Sequence, residues 1–83
     1  MRIQPGRIYQ LTGRVNACVW NIDFANHHKE VIHRLRAEDV ILIVKHVRER
    51  STEGDWLMQV SCAGVLGYVK TSRVRSHLME MAS

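Results

Sequence analysis

Apolar and polar positions alternate in short runs along this chain, separated by glycine, asparagine, aspartate and serine clusters at strand-and-turn spacing. Ile8-Tyr9-Gln10-Leu11, bracketed by Gly6 and Gly13, places Ile8 and Gln10 on one face and Tyr9 and Leu11 on the other, which predicts an outer strand. Cys18-Val19-Trp20-Asn21-Ile22 is a second run of the same kind. Residues 23–30 are polar and turn-rich apart from Phe24 and read as an exposed loop. Val31-Ile32-His33-Arg34-Leu35 is short and extended, and residues 36–39 turn the chain into Val40-Ile41-Leu42-Ile43-Val44. Uninterrupted β-favouring aliphatics predict a central strand with both faces covered.

A charged arm, Lys45-His46-Val47-Arg48-Glu49-Arg50, then leads to a polar turn over residues 51–55, and Trp56-Leu57-Met58-Gln59-Val60-Ser61 returns as the partner strand. Cys62-Ala63-Gly64 is a tight turn before Val65-Leu66-Gly67-Tyr68-Val69. Thr71-Ser72-Arg73-Val74 fits one helical turn with Val74 plugging the end of the fold, and residues 76–83 read as a tail able to form a helical turn. No long amphipathic helix competes. Five to six short antiparallel strands at this length favour a small all-β barrel, since closure disposes of exposed strand edges.

The 83 residues suffice for one domain with one modest core, and no repeat or linker divides them, so residues 1–83 form a single domain. With 46% hydrophobic and 24% charged residues the composition is that of a folded globule. The first twenty residues hold no apolar run long enough for a signal peptide or membrane span, which predicts a cytoplasmic protein. Cys18 and Cys62 lie in no ligand-spaced motif and read as small apolar residues in a reducing compartment. Twelve Lys and Arg against eight Asp and Glu give +4, which favours an acidic protein surface or nucleic acid as partner over a cationic one.

The second half of the chain resembles the bacterial SH3 domain. That family runs as an apolar pair, a leucine three positions on, a Gly-Asp turn, an apolar strand and a tryptophan-led hairpin ending in Gly-Trp-Val. The corresponding positions are Val31-Ile32, Leu35, Glu38-Asp39, Ile41 and Ile43, then Gly54-Asp55-Trp56, Val60, Gly64, Gly67-Tyr68-Val69 and Val74. The spacing from Val60 to Val74 matches without a gap, and the first 30 residues match only loosely. His33 and Glu38 stand in place of glycines and Tyr68 in place of tryptophan. Trp20 and Ile22 occupy the position of an Arg-Ser-Gly-Pro turn, so the first loop is reshaped. The resemblance implies an SH3-like barrel and a binding module, for a protein partner or for cell-wall peptide. Proline-rich ligands are not expected, because Lys70-Thr71-Ser72-Arg73-Val74 lacks the proline and tyrosine of a polyproline groove. A small basic barrel of this kind suits a bacterial or bacteriophage protein that acts by binding another protein.

Candidate contact residues follow from chemistry. Trp56 sits at a hairpin base, Trp20 and Phe24 flank the first polar loop, and Tyr9 joins them if the loops converge; such aromatics anchor interfaces or stack bases. Arg48, Arg50 and Arg73 would steer an acidic protein partner. Lys45, Arg48, Arg50, Lys70, Arg73 and Arg75 would bind phosphates if they share one side, which makes nucleic acid the alternative partner. His27, His28 and His33 invite a metal, but adjacent side chains on an extended segment diverge, and neither a metal nor a cofactor is expected. No signature brings a cysteine or serine nucleophile to a histidine base, and no glycine-rich phosphate loop occurs, so a non-enzymatic adaptor is the leading expectation.

Overall fold

The computed structural model describes residues 2–50 and 54–81, with the backbone alone at 48–50. Seven strands, β1 (Ile8–Leu11), β2 (Cys18–Asp23), β3 (His28–Arg34), β4 (Val40–Arg50), β5 (Trp56–Cys62), β6 (Val65–Lys70) and β7 (Leu78–Glu80), form one sheet in the order β3-β2-β6-β5-β4-β1-β7. Every pairing is antiparallel. A single helical turn, α1 (Thr71–Val74), and a 3-10 turn (Arg75–His77) connect β6 to β7. The fold is all-β and barrel-like, with its short helix near the C-terminus.

The strands form where the sequence alternates. Tyr9 and Leu11 on β1, Val19 on β2, Ile41 and Ile43 on β4, Met58 and Val60 on β5 and Val69 on β6 all point inward and are fully buried. Each contributes on the order of 1.5–3 kcal/mol of apolar burial. Val74 closes one end of this core from α1. Ala63 and Gly64, both at positive φ, form the two-residue turn between β5 and β6, the conformation whose twist suits a tight hairpin.

Three expectations are corrected. Residues 40–44 are not covered on both faces: Ile41 and Ile43 enter the core, whereas Val40, Leu42 and Val44 face outward and are exposed. The register slips by one between Ile43, opposite Val60, and Lys45, opposite Gln59, so Val44 is the extra residue of a bulge. The continuous aliphatic run is therefore an alternating strand with a bulge, whose outer face nothing in the described chain covers. Residues 23–30 are half strand and half turn: Asp23 ends β2, residues 24–27 turn, and residues 28–30 open β3. The segment read as a C-terminal tail supplies β7, which pairs with β1 through Tyr9↔Glu80 and Gln10↔Met79.

Gly67 allows β2 to close over β6. A Cβ at this position would lie 2.5 Å from the Trp20 carbonyl oxygen and 2.6 Å from Val19 Cγ1, and a backbone oxygen cannot give way as a flexible side chain can. Gly67→Ala should lower stability by about 3 kcal/mol in denaturant unfolding; a loss below about 1 kcal/mol would show that β2 yields. Glu38 carries the other local constraint, at φ +74 in the turn before β4, where its N–H donates to the Leu11 carbonyl at 2.7 Å. Left-handed backbone is costly for a residue with a Cβ, so Glu38→Gly should raise stability by about 0.5 kcal/mol after the entropy of the more flexible unfolded chain is set against it. The same unfolding measurement checks it.

Candidate partner-binding surfaces

Two clefts flank α1. The larger, about 430 Å³, is lined by Arg2, Ile3, His46, Val47, Trp56, Leu57, Thr71 and Arg75. Trp56 opens β5 with 51% of its surface exposed, so it lines the mouth of this cleft and is not part of the core. Leu57 is buried outside the main core cluster and forms part of the floor. His46 Nε2 donates to the Ile3 carbonyl at 3.0 Å, which holds the N-terminal segment against β4. The Thr71 side chain is buried and its Oγ1 has no hydrogen-bond partner among the described residues. Arg2, Arg75 and the Trp56 indole thus line a cleft in which no described lining residue is acidic. That set is chemically complementary to a carboxylate or phosphate.

The smaller cleft, about 150 Å³, lies beside Trp20, Lys70 and Arg73, with Cys18 in its wall. It continues onto the outer face of the sheet, where the register sets Lys45, Gln59, Tyr68, Trp20 and Val31 in one row across β4, β5, β6, β2 and β3. The Phe24 ring meets Tyr68 edge-on at 5.2 Å, and the Lys29 ammonium lies 4.9 Å from the Trp20 ring centroid. All three rings are half-buried. Tyr68 and Lys29 belong to this cluster although the sequence did not single them out as contact residues; the register of β6 on β2 adds Tyr68, and that of β3 on β2 adds Lys29.

A third surface is apolar. On the outer face Leu66, Leu42 and Ile8 lie in one row across β6, β5, β4 and β1, with Ser61 between the leucines. Val40, Gln10 and Met79 form the row beside it. Leu66 is 57% exposed and Met79 50%, and Ile8, Val40, Leu42, Val44 and Met81 are exposed with them. Isolated exposed aliphatics are ordinary on any protein; a contiguous group on one sheet face is the pattern of an interaction surface.

The other expected contact residues are dispersed. Tyr9 is fully buried and its hydroxyl accepts the Gln4 N–H at 3.0 Å, so it is a core residue and joins no aromatic patch. The side chains of Arg48 and Arg50 lie outside the described residues, as does the turn at 51–53. Lys70 and Arg73 share the Trp20 cleft with Lys45 in the row beyond it, whereas Arg75 lies in the Trp56 cleft. Among the four of these cations whose side chains are described, Arg75 is therefore set apart from Lys70 and Arg73.

His27 and His28 are exposed at the β2–β3 turn, and His33 is not with them. His33 Nε2 instead donates to Asp39 Oδ2 at 3.2 Å, and Cys62 Sγ belongs to the same cluster, the three donor atoms all lying within 4.8 Å of one another. Burial, followed by the neighbouring Asp39 carboxylate, pushes the Cys62 thiol up from its ordinary range. A buried protonated thiol is a poor nucleophile. Only the packing of β5 against the β3–β4 turn assembles these residues, and no local motif signals them.

Comparison with protein families, curated proteins and solved structures gives no match. Among the described residues, no helix is long and apolar enough to cross a membrane.

The turn that sets Phe24 is itself held by Asp23. Its Oδ1 accepts the Ala25 N–H at 3.1 Å and the Asn26 N–H at 3.3 Å, and Oδ2 accepts the Asn26 side-chain amide at 2.7 Å. These bonds, those to Asn26 foremost, hold the Asp23 carboxyl below its ordinary value of 3.8. A lowered folded-state pKa means that the stabilisation is complete above the unfolded value and is lost as pH falls through the folded one. Asp23→Ala should therefore lower the Tm at neutral pH, and the gap to wild type should close as pH drops below 3.8 in a thermal melt series.

Proposed function

We propose that this chain is a non-enzymatic protein-binding module, a small adaptor or modulator. The observation that carries the reading is the contiguous apolar outer face of β4, β1 and β7, because nucleic-acid surfaces are polar and charged whereas a protein partner can cover exposed aliphatics. Trp56 supplies a second anchor. Its half-exposed indole stands at the mouth of a cleft holding Arg2 and Arg75, suited to an acidic side chain of the partner. Binding would proceed by complementarity of preformed surfaces, with cations speeding the encounter and the apolar face and the indole holding the complex. The resemblance of the second half to bacterial SH3 domains supports a binding role in the same direction. It also leaves cell-wall peptide as a ligand class that the partner search must include.

The test is an affinity capture from bacterial lysate with the tagged chain, with and without nuclease and at low and moderate salt, followed by binding measurements on the captured protein. Trp56→Ala should weaken binding by about 2 kcal/mol with little change in Tm. Leu42→Glu, on the outer strand face, should also release the partner. Capture that disappears on nuclease treatment would overturn this reading in favour of nucleic acid. Unchanged affinity in both variants would remove these surfaces from the interface.

A further inference from the structure

We infer that His33, Asp39 and Cys62 form a binding site for one divalent transition-metal ion of the zinc class. His33 lies near the end of β3, Asp39 in the turn before β4, and Cys62 at the end of β5, so three separated stretches of chain each deliver one donor atom to the same point. Imidazole nitrogen, carboxylate oxygen and thiolate sulfur are the three protein ligand types that zinc takes. The His33 nitrogen and Asp39 oxygen are already 3.2 Å apart, and all three donors lie within 4.8 Å of one another. Ligand bonds of about 2.0–2.3 Å in tetrahedral geometry put donors about 3.3–3.7 Å apart. Closing the triangle therefore takes side-chain rotations of about an ångström and no rearrangement of the sheet.

The supports of these ligands are in place. Asp39 Oδ2 accepts the Arg36 N–H at 2.9 Å, and the Asp39 carbonyl accepts the Leu11 N–H at 2.8 Å, so the carboxylate is oriented by backbone groups as metal ligands commonly are. Cys62 is buried, whereas the His33 and Asp39 side chains each keep 26% of their surface, which leaves an approach from solvent with the sulfur at the inner end. On binding, the thiol proton of Cys62 leaves to solvent and a metal–sulfur bond forms. The Nε2 proton that His33 donates to Asp39 leaves to solvent while Nδ1 takes one up, so the ring changes tautomer and the freed Nε2 lone pair binds the metal. The fourth position is left to water. An ion held this way would tie β3, the β3–β4 turn and β5 together, and its binding free energy would add to the stability of the fold. This inference is independent of the proposed partner and is read by different measurements.

The full chain, stripped with chelator, is titrated with Co²⁺ and separately with Zn²⁺. The expected result is saturation at one equivalent, a thiolate-to-cobalt charge-transfer band, loss of that band on adding Zn²⁺, and a Tm rise of about 10 °C at a hundredfold excess of free Zn²⁺ over Kd. Cys18→Ala should keep the band. Cys62→Ala should abolish it, and Asp39→Asn or His33→Gln should weaken metal binding at least tenfold. Folded wild-type protein with no charge-transfer band and no metal-dependent Tm shift would overturn the site. So would a band that survives Cys62→Ala or disappears in Cys18→Ala. Because the wild-type titration alone can refute the site, the conclusion does not depend on every variant folding.

Discussion

The approach of β2 to β6 at Gly67 is the contact on which the architecture depends. β2 and β3 form a hairpin that joins the rest of the sheet through β6, and their described register contact is Trp20 opposite Tyr68. That contact requires a backbone carbonyl and Val19 to occupy space that any side chain at residue 67 would fill. With β2 seated, Val19 enters the core and Trp20 stands outside it beside Tyr68. The same closure thus builds part of the core and part of the exposed aromatic cluster. Stability and surface chemistry are coupled at one glycine.

A single curled sheet of this length covers one of its faces well. The inner face is filled by aliphatics and Tyr9, with Val74 of α1 in the same core, while the described residues include no long helix or second layer over the outer face. Apolar residues on the outer face therefore stay exposed, from Leu66 through Leu42 to Ile8 and on to the methionines of the C-terminal strand. Such a surface carries an association cost if nothing covers it.

Electrostatics on this molecule is divided, and α1 divides it. Thr71 and Arg75 line the Trp56 cleft, whereas Lys70 and Arg73 line the Trp20 cleft. Each cleft thus holds one tryptophan with its own cations. A sequence count of +4 carries no trace of this division, because it arises from the rotation of successive side chains around a single helical turn.

Much of the fold was legible from residue order. Local β-favouring runs located β1, β2, β4, β5 and β6, Ala63-Gly64 the tight hairpin, and residues 71–74 the helical turn, since each of these depends on local backbone preference and period, whereas β7 and the start of β3 were read as tail and loop. What faces a strand from outside is not local information. The run of residues 40–44 looked doubly buried because five aliphatics satisfy that pattern, yet a bulge at Val44 and an uncovered outer face decided otherwise. Tyr9 looked like a surface aromatic, and the pairing of β1 between β4 and β7 turned it inward. His33, Asp39 and Cys62 carry no motif spacing, and only antiparallel packing that brings the end of β5 to the turn before β4 makes them neighbours. The sequence by itself determined most of the strand segments, β7 and the start of β3 excepted, and which side chains can anchor, charge or ligate. The tertiary structure alone decided which face each strand turns to the core and which distant residues share a site, because both are set by long-range register and not by any residue's neighbours along the chain.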